Sequence, residues 1–215
     1  MGPGDPELIT LKAVRVISEC GIIALPRKNP RSSVAYQIAV QAVPEIREKT
    51  LIGLDFPMVS DISVVEKAHR SSARIIAELL DAGENVACLT LGAPSIYCTF
   101  GYIQRLLEAD GYDVEMISGV PSFCAAAAAA GVPLCEREEP VYINSDINEY
   151  NGFGNYILMK SAGKISELRQ KLMESGKNVY AVENCGMKNQ SIYFGAENLP
   201  DDAGYFTLII AKQKQ

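Results

Sequence analysis

Four short loops contain the residue types that could bind a small polar ligand. Each combines glycine or proline with hydroxyl, amide or basic side chains and follows an apolar stretch typical of a strand; the loops are residues 26–32, 92–97, 119–123 and 160–163. Glycine lets a backbone approach a ligand closely. Because ligands of open α/β sheets bind at the carboxyl ends of the strands, these loops predict one ligand-binding edge.

The densest basic segment, residues 26–31 (PRKNPR), indicates where an anion could bind. The whole chain has a net charge of −6, which disfavours a polyanionic nucleic acid as partner. An anionic small molecule would therefore need a local basic patch such as this one. The alternative interpretation is a solvated surface loop.

The segment Gly2-Pro3-Gly4-Asp5 precedes a predicted helix and has two interpretations from its residues alone. It could bind a phosphate at the helix N-terminus, or it could be a tight turn whose aspartate caps the helix. The chain contains neither GxGxxG nor GxxxxGK[ST]. A nucleotide-phosphate site is therefore disfavoured.

The sequence carries no pattern typical of a metal site or a secreted protein. Its six cysteines are scattered without a CxxC pair, and the single histidine, His69, lies in a predicted helix where we expect a surface or structural role. This pattern predicts reduced thiols in a cytoplasmic protein without a metal. The longest apolar stretch, 123–132, is shorter than the ~20 residues that span a bilayer, and no signal peptide is recognisable.

Alternating apolar patterns predict an α/β protein. Strands are expected at 22–25, 51–54, 86–91, 114–117, 141–143, 156–160, 179–183, 191–194 and 205–211. Helices are expected at 6–20, 33–43, 62–81, 96–110, after Ser122 and at 164–175. Two prolines and four charges at 132–140 interrupt the pattern. We therefore predict an N-terminal domain at 1–134, a linker at 135–140 and a C-terminal domain at 141–215.

Five segments together resemble the tetrapyrrole methylase family, and most closely its precorrin-2 / cobalt-factor II C20-methyltransferase branch. They are MGPGDPELITLKAVRVI at the start, LTLGAPSIYCTF, ISGVPSFCAAAAAAG, YILMKSAG and VENCGM. Each segment alone is weak, but their order and intervals are specific, and the resemblance runs from Gly2 to Lys212.

The resemblance implies two αβα domains with an active site in the cleft between them, and S-adenosylmethionine as methyl donor. It implies methylation at C20 of precorrin-2 or cobalt-factor II in cobalamin biosynthesis, by a homodimer with a tetrapyrrole as its small-molecule partner. The cofactor-binding residues that it implies are Pro3, Gly92, Ala93, Ile96, Ser122, Phe123, Met159, Asn184 and Cys185. The substrate-binding residues are Arg27, Lys28, Arg31, Lys160 and Tyr205.

Three departures from the family pattern leave alternatives open. Ala93 stands where the family's GDP loop has its aspartate, and Asn184 stands where an arginine is usual. The chain also starts where the family's first strand should end, so we expect that strand to be missing. The alternatives are an impaired or non-catalytic relative that still binds S-adenosylmethionine or tetrapyrrole, and a methylase of the same fold with another acceptor.

The implied mechanism is direct displacement at an electrophilic sulfonium methyl group. Such a reaction needs no enzyme nucleophile, so we name no catalytic residue. Positioning of the two reactants could supply ~7–11 kcal/mol of the rate enhancement. Acceptors with and without cobalt both fit the sequence.

Overall fold

The chain folds into two compact units, and each contains its own β-sheet. The computed structural model describes residues 1–144, 152–159, 161 and 163–214. Unit 1 is Met1–Pro121 and unit 2 is Ser122–Gln215. Helices and strands alternate along most of the chain, which confirms the predicted α/β class.

Unit 1 is built on a parallel sheet with the strand order β2-β1-β3. Its elements are α1 (Leu11–Glu19), β1 (Ile22–Leu25), α2 (Val34–Ala42), β2 (Thr50–Gly53), α3 (Ile62–Asp81), β3 (Val86–Cys88) and α4 (Phe100–Ala109). All four residues of the central strand β1 are buried. A strand covered on both faces has a continuous apolar sequence, which is why β1 is recognisable from its residues.

Polar side chains fix where the first helices begin. The hydroxyls of Thr10 and Ser33 each accept a hydrogen bond from the backbone N–H three residues later, which caps α1 and α2. The predicted single helix over 6–20 is wrong. Asp5 caps only a short 3-10 turn, Pro6–Leu8, and the cap at Thr10 then starts a separate helix.

The predicted strand at 114–117 does not form, because this segment has no ladder partner among the described residues. A cavity of about 160 Å³ is lined by this segment and by β3, with α1 and α4 supplying further apolar walls. An extended apolar segment becomes a strand only when a neighbouring strand meets its N–H and C=O groups.

Unit 2 contains a mixed sheet with the strand order β4-β5-β8-β6-β7. Its elements are α5 (Ser122–Ala130), β4 (Val141–Asn144), β5 (Asn155–Leu158), α6 (Ile165–Glu174), β6 (Asn178–Glu183), β7 (Ser191–Phe194) and β8 (Thr207–Lys212). Strand β8 is antiparallel to β5 and to β6, and all its residues are buried. The start of β8 therefore lies at the same sheet edge as the ends of β5 and β6.

The boundary between the compact units falls after Pro121, whereas the sequence analysis placed a linker at 135–140. Helix α5 packs on β6 and β8. The side-chain amide of Asn155 in β5 donates to Glu139 at 2.8 Å, and Lys212 in β8 forms an ion pair with Glu136. These contacts attach α5 and the proline-containing segment after it to the sheet of unit 2.

Candidate functional site

In unit 1 the N-terminal turn and the loop after β3 are joined through their backbones. Gly2 donates to the carbonyl oxygen of Gly92 at 3.3 Å, and Gly92 donates back to Gly2 at 3.0 Å. Pro3, predicted to contact the cofactor, is buried directly beside this bridge. The bridge therefore joins residues 2–5 to residues 92–97, and the predicted contacts of Pro3 and of the loop at 92–97 with the cofactor stay predictions.

A third loop, residues 119–121, approaches the same place. A Cβ built on Gly119 would overlap the carbonyl oxygen of Gly92. Thr10 also donates to the carbonyl oxygen of Ser118 at 3.1 Å, which fixes the start of this loop to the cap of α1. Glycine is required at 119 by close backbone approach, since its φ lies outside the left-handed region.

The loop at 92–97 is a turn with free backbone donors. Gly92 has a φ of 66°, and Ile96 donates to the carbonyl oxygen of Ala93 at 3.1 Å. Within the described part of the chain, the backbone N–H groups of Ala93 and Ser95 have no hydrogen-bond partner. Two free amide donors on one turn fit a carboxylate, such as that of the methionine part of S-adenosylmethionine.

The predicted substrate residues Arg27 and Lys28 follow the buried end of β1 and are exposed. Lys28 forms an ion pair with Asp55 at 3.1 Å. A Cβ on Gly53, at the end of the neighbouring strand β2, would overlap the carbonyl oxygens of both basic residues. Gly53 therefore allows the basic loop to fold over the end of β2.

Arg31, the third basic residue predicted to bind substrate, is held by protein groups. Its guanidinium donates to the Tyr36 hydroxyl at 2.8 Å and to the carbonyl oxygen of Arg47 at 3.2 Å. It also lies 5.6 Å from the centre of the Tyr36 ring. Arg31 thus connects its loop to α2.

In unit 2 the sheet topology brings three predicted regions to one edge. Met159 follows β5, Asn184 follows β6, and Tyr205 precedes the antiparallel strand β8 between them. The backbone N–H of Asn184 donates to the carbonyl oxygen of Phe206 at 3.1 Å. The ends of three strands therefore assemble residues that are far apart in sequence.

The side chains at this edge differ in accessibility. Tyr205 is 47% exposed, whereas the Cys185 side chain is buried. Asn184 adopts a φ of 52°, a conformation that asparagine tolerates better than most residues. Lys160, predicted to bind substrate, lies outside the described residues.

Helix α5 begins at Ser122, and the Phe123 ring is buried. Both residues therefore belong to a helix that packs on the sheet of unit 2, whereas the rest of the predicted loop, 119–121, belongs to unit 1. Their predicted contact with the cofactor stays a prediction.

Two reactive side chains of unit 1 are structural. His69 stacks on Tyr102 with ring centres 5.1 Å apart and is also in edge contact with Phe56. Burial raises the pKa of the Cys88 thiol to about 12, so this thiol stays protonated.

Within the described ranges, no group of three or more His, Cys, Asp or Glu could hold a metal, and no helix is long and apolar enough to span a membrane.

The geometry shows contacts that the sequence analysis did not predict for Gly53, Gly119 and Glu183, whose carboxylate accepts a hydrogen bond from the backbone N–H of Gly204 at 2.7 Å. Gly119 and Glu183 lie within the predicted motifs and Gly53 lies within a predicted strand, but local sequence does not specify what they contact. The contacts of a glycine or a carboxylate at a strand end depend on which strand lies beside it. The sheet topology decides which strand that is.

A model of the tetrapyrrole (corrin/porphyrin) methylases matches residues 1–199. The chain belongs to the tetrapyrrole methylase family. Among curated relatives of this methylase, the probable cobalt-precorrin-2 C(20)-methyltransferase of Methanocaldococcus jannaschii is 34% identical over 166 residues. The match covers 75% of this chain and 70% of the relative.

The precorrin-2 C(20)-methyltransferase of a Sinorhizobium species is 28% identical to this methylase, over 97% of this chain and 91% of the relative. The crystal structure of a cobalamin biosynthetic enzyme, cobalt precorrin-4 methyltransferase, superposes with a TM-score of 0.75. The superposition covers 98% of this chain and 91% of the chain of that enzyme, at 19% sequence identity. This likeness confirms the fold.

Proposed function

We infer that this methylase transfers a methyl group from S-adenosylmethionine to C20 of precorrin-2 or of its cobalt-containing form, as a step of cobalamin biosynthesis. The observation that carries this inference is the match to relatives named C20-methyltransferases along most of the chain, at 28–34% identity. Three of the segments that resemble this branch of the family lie at the ends of β3, β5 and β6.

The methyl donor, when bound, supplies an electrophilic sulfonium methyl group. In unit 1 the backbone N–H groups of Ala93 and Ser95 would bind its carboxylate, and Gly92 and Pro3 would shape the adjoining surface. Ile96 completes this turn through its hydrogen bond to Ala93. In unit 2 we assign cofactor contacts to Ser122, Phe123, Met159, Asn184 and Cys185.

The acceptor is a tetrapyrrole that carries several carboxylates. Arg27 and Lys28 are exposed cations at a strand end, and they would attract this anion against the net negative charge of the chain. Tyr205 is exposed at the edge of unit 2 where β5 and β6 end and β8 begins, and it would donate a hydrogen bond to the substituents of the tetrapyrrole ring. Arg31 and Lys160 complete the proposed substrate set.

The chain's contribution to rate is positioning. A bound S-adenosylmethionine would supply its methyl group for direct displacement: the bond to C20 would form as the methyl–sulfur bond breaks, and the electron pair of that bond would stay on the sulfur of S-adenosylhomocysteine. The methylated carbon would then release its proton to water. The displacement needs no protein nucleophile, which agrees with the structural roles of His69 and Cys88. Holding the acceptor carbon in line with the methyl–sulfur bond could contribute about 7–11 kcal/mol.

A turnover assay tests this function. Purified protein, S-adenosylmethionine and either metal-free precorrin-2 or its cobalt-containing form are mixed, and S-adenosylhomocysteine is measured over time. We expect product with at least one acceptor. Tight binding of the methyl donor without any turnover would instead favour the alternative that this protein is an impaired member of the family. Ala93, in place of the aspartate of the family motif, is the residue that suggests this alternative.

We also propose a cytoplasmic homodimer. All six cysteines are free thiols, which persist in a reducing compartment. Exposed apolar side chains at the start of α3, including Met58 (79% exposed) and Ile62 (73% exposed), are suited to a subunit contact. Light scattering is expected to give twice the 23.3 kDa chain mass, and a 23.3 kDa particle for Ile62→Lys.

A further inference from the structure

The side chain of Glu183 bridges two of the three strand ends that form the edge of unit 2. It is the last residue of β6, and its Oε1 accepts a hydrogen bond from the backbone N–H of Gly204 at 2.7 Å. Its Oε2 accepts a longer bond, of 3.4 Å, from the Tyr193 hydroxyl in β7. One carboxylate thus connects β6, β7 and the turn before β8.

The turn that receives this bond presents Tyr205. A Cβ on Gly204 would lie 2.7 Å from Oε1 of Glu183, so only glycine lets the carboxylate come this close. Thr207 donates to the carbonyl oxygen of Gly204 at 3.1 Å, which closes the turn around Tyr205. The ring of Tyr205 in turn meets Phe206 edge-on, with centres 5.2 Å apart.

The opposite side of the same turn is bonded to the proposed cofactor loop. The N–H of Asn184, next to Glu183, donates to the carbonyl oxygen of Phe206 at 3.1 Å. That loop also has its own bonds, from Met187 to Asn184 at 2.9 Å and from Gly186 to Gln190 at 2.7 Å. Removal of the Glu183 carboxylate would therefore release the Tyr205 turn more than the loop at 184–187.

We propose that Glu183 is a positioning residue that holds the Tyr205 turn in place for the tetrapyrrole. The proposal rests on the proposed function, because it takes Tyr205 as a substrate contact. The Glu183 carboxylate already accepts hydrogen bonds from Gly204 and Tyr193, which assigns Glu183 to positioning rather than to proton transfer.

Three substitutions of Glu183 test separately the length of its side chain, its charge and its hydrogen-bond acceptor. Glu183→Ala removes the acceptor, and Glu183→Asp keeps the charge but is one methylene too short. Glu183→Gln keeps a carbonyl oxygen that can accept from Gly204. We expect the first two to lower kcat/KM for the tetrapyrrole about ten- to a hundredfold, mainly through KM. Glu183→Gln should recover most of that loss, and all three should leave the Kd for S-adenosylmethionine within about threefold.

A fluorescence measurement tests the geometry without any turnover. The protein contains no tryptophan, so Tyr205→Trp introduces a single reporter on the turn. We expect lower tryptophan anisotropy when Glu183→Ala or Glu183→Asp is added, but not when Glu183→Gln is added. Tyr193→Phe serves as control, because it removes the longer bond and leaves the bond to Gly204.

The two measurements distinguish failure of this proposal from failure of the proposed function. Absence of methyl transfer in the unsubstituted protein, with the expected anisotropy changes, would overturn the function and keep the positioning role of Glu183. Unchanged anisotropy and unchanged KM in Glu183→Ala and Glu183→Asp would overturn the proposal. A loss in Glu183→Gln as large as in Glu183→Ala, with an altered pH profile, would also contradict it, since it would indicate a proton-transfer role.

Discussion

Ala93 is the residue at which the loop after β3 differs from the family motif that the sequence resembles. Its side chain is only 7% exposed, and it lies in the turn whose free N–H groups we assign to the methyl donor. Main-chain contacts do not depend on the side chain at 93. The residue should therefore affect the acceptor more than the donor.

We predict that Ala93→Asp raises kcat/KM for the tetrapyrrole about ten- to a hundredfold, the value of one charge-assisted hydrogen bond. The Kd for S-adenosylmethionine should stay nearly constant. The substitution should also lower the Tm, because a carboxylate in a nearly buried position loses solvation. Ala93→Asn is the matched control for size without charge. A large change in cofactor affinity with unchanged turnover would contradict this assignment.

The only histidine, His69, gives a prediction for pH. Burial lowers its pKa, while Glu66 acts in the opposite direction. The unfolded chain therefore binds a proton at a higher pH than the folded chain does. The stability from neutral His69 is complete above the unfolded pKa of about 6.5 and is lost as pH falls below it.

His69→Phe keeps an aromatic ring beside Tyr102 and cannot be protonated. We expect the unfolding free energy of the unsubstituted protein to fall relative to this variant between pH 7.5 and pH 5.5, by at most about 1.4 kcal/mol per pH unit. Urea unfolding at several pH values measures this. The exposed Ser71→Ala on the same helix should follow the unsubstituted protein. Parallel pH profiles for the protein and His69→Phe would refute the prediction.

Among the elements, two glycines allow neighbouring loops to approach each other closely. Gly119 allows contact with Gly92 between proposed cofactor loops, and Gly53 allows the basic loop over β2. We predict that Gly119→Ala raises the Kd for S-adenosylmethionine at least about tenfold, whereas Gly53→Ala raises KM for the tetrapyrrole by a similar factor.

Calorimetry with the cofactor and steady-state kinetics with the acceptor separate these two effects. Gly21→Ala is the control, because a Cβ there meets nothing within 4 Å and its φ is ordinary. Equal effects of both substitutions on donor and acceptor would mean that the two loops do not have separate tasks.

Local signals predicted most of the elements. Asp61 caps the start of α3, and Gly83, with a φ of 83°, follows the end of this helix. Both were predictable because helix caps depend on a few neighbouring residues. The strand at 114–117 was wrong, because a ladder needs a partner that local sequence does not specify. For the same reason the motifs indicated the loops of the candidate site, but not the contacts of Gly53, Gly119 and Glu183.

At the scale of the whole molecule, each unit presents proposed donor and acceptor contacts at the ends of its strands. The basic residues of unit 1 follow β1 beside the loop after β3, and in unit 2 Tyr205 adjoins Asn184. A fold that brings residues distant in sequence to strand ends is suited to positioning two ligands. The atom of the acceptor that receives the methyl group is therefore what distinguishes the proposed function from other methyl transfers.

The position of the transferred methyl group tests the proposed specificity for C20. The protein is incubated with precorrin-2, with or without cobalt, and S-adenosylmethionine that carries an isotopic label in its methyl group, and the product is analysed by NMR. We predict a single labelled methyl group on C20. Label on another ring carbon, or unlabelled tetrapyrrole from a protein that binds S-adenosylmethionine, would contradict C20 methylation.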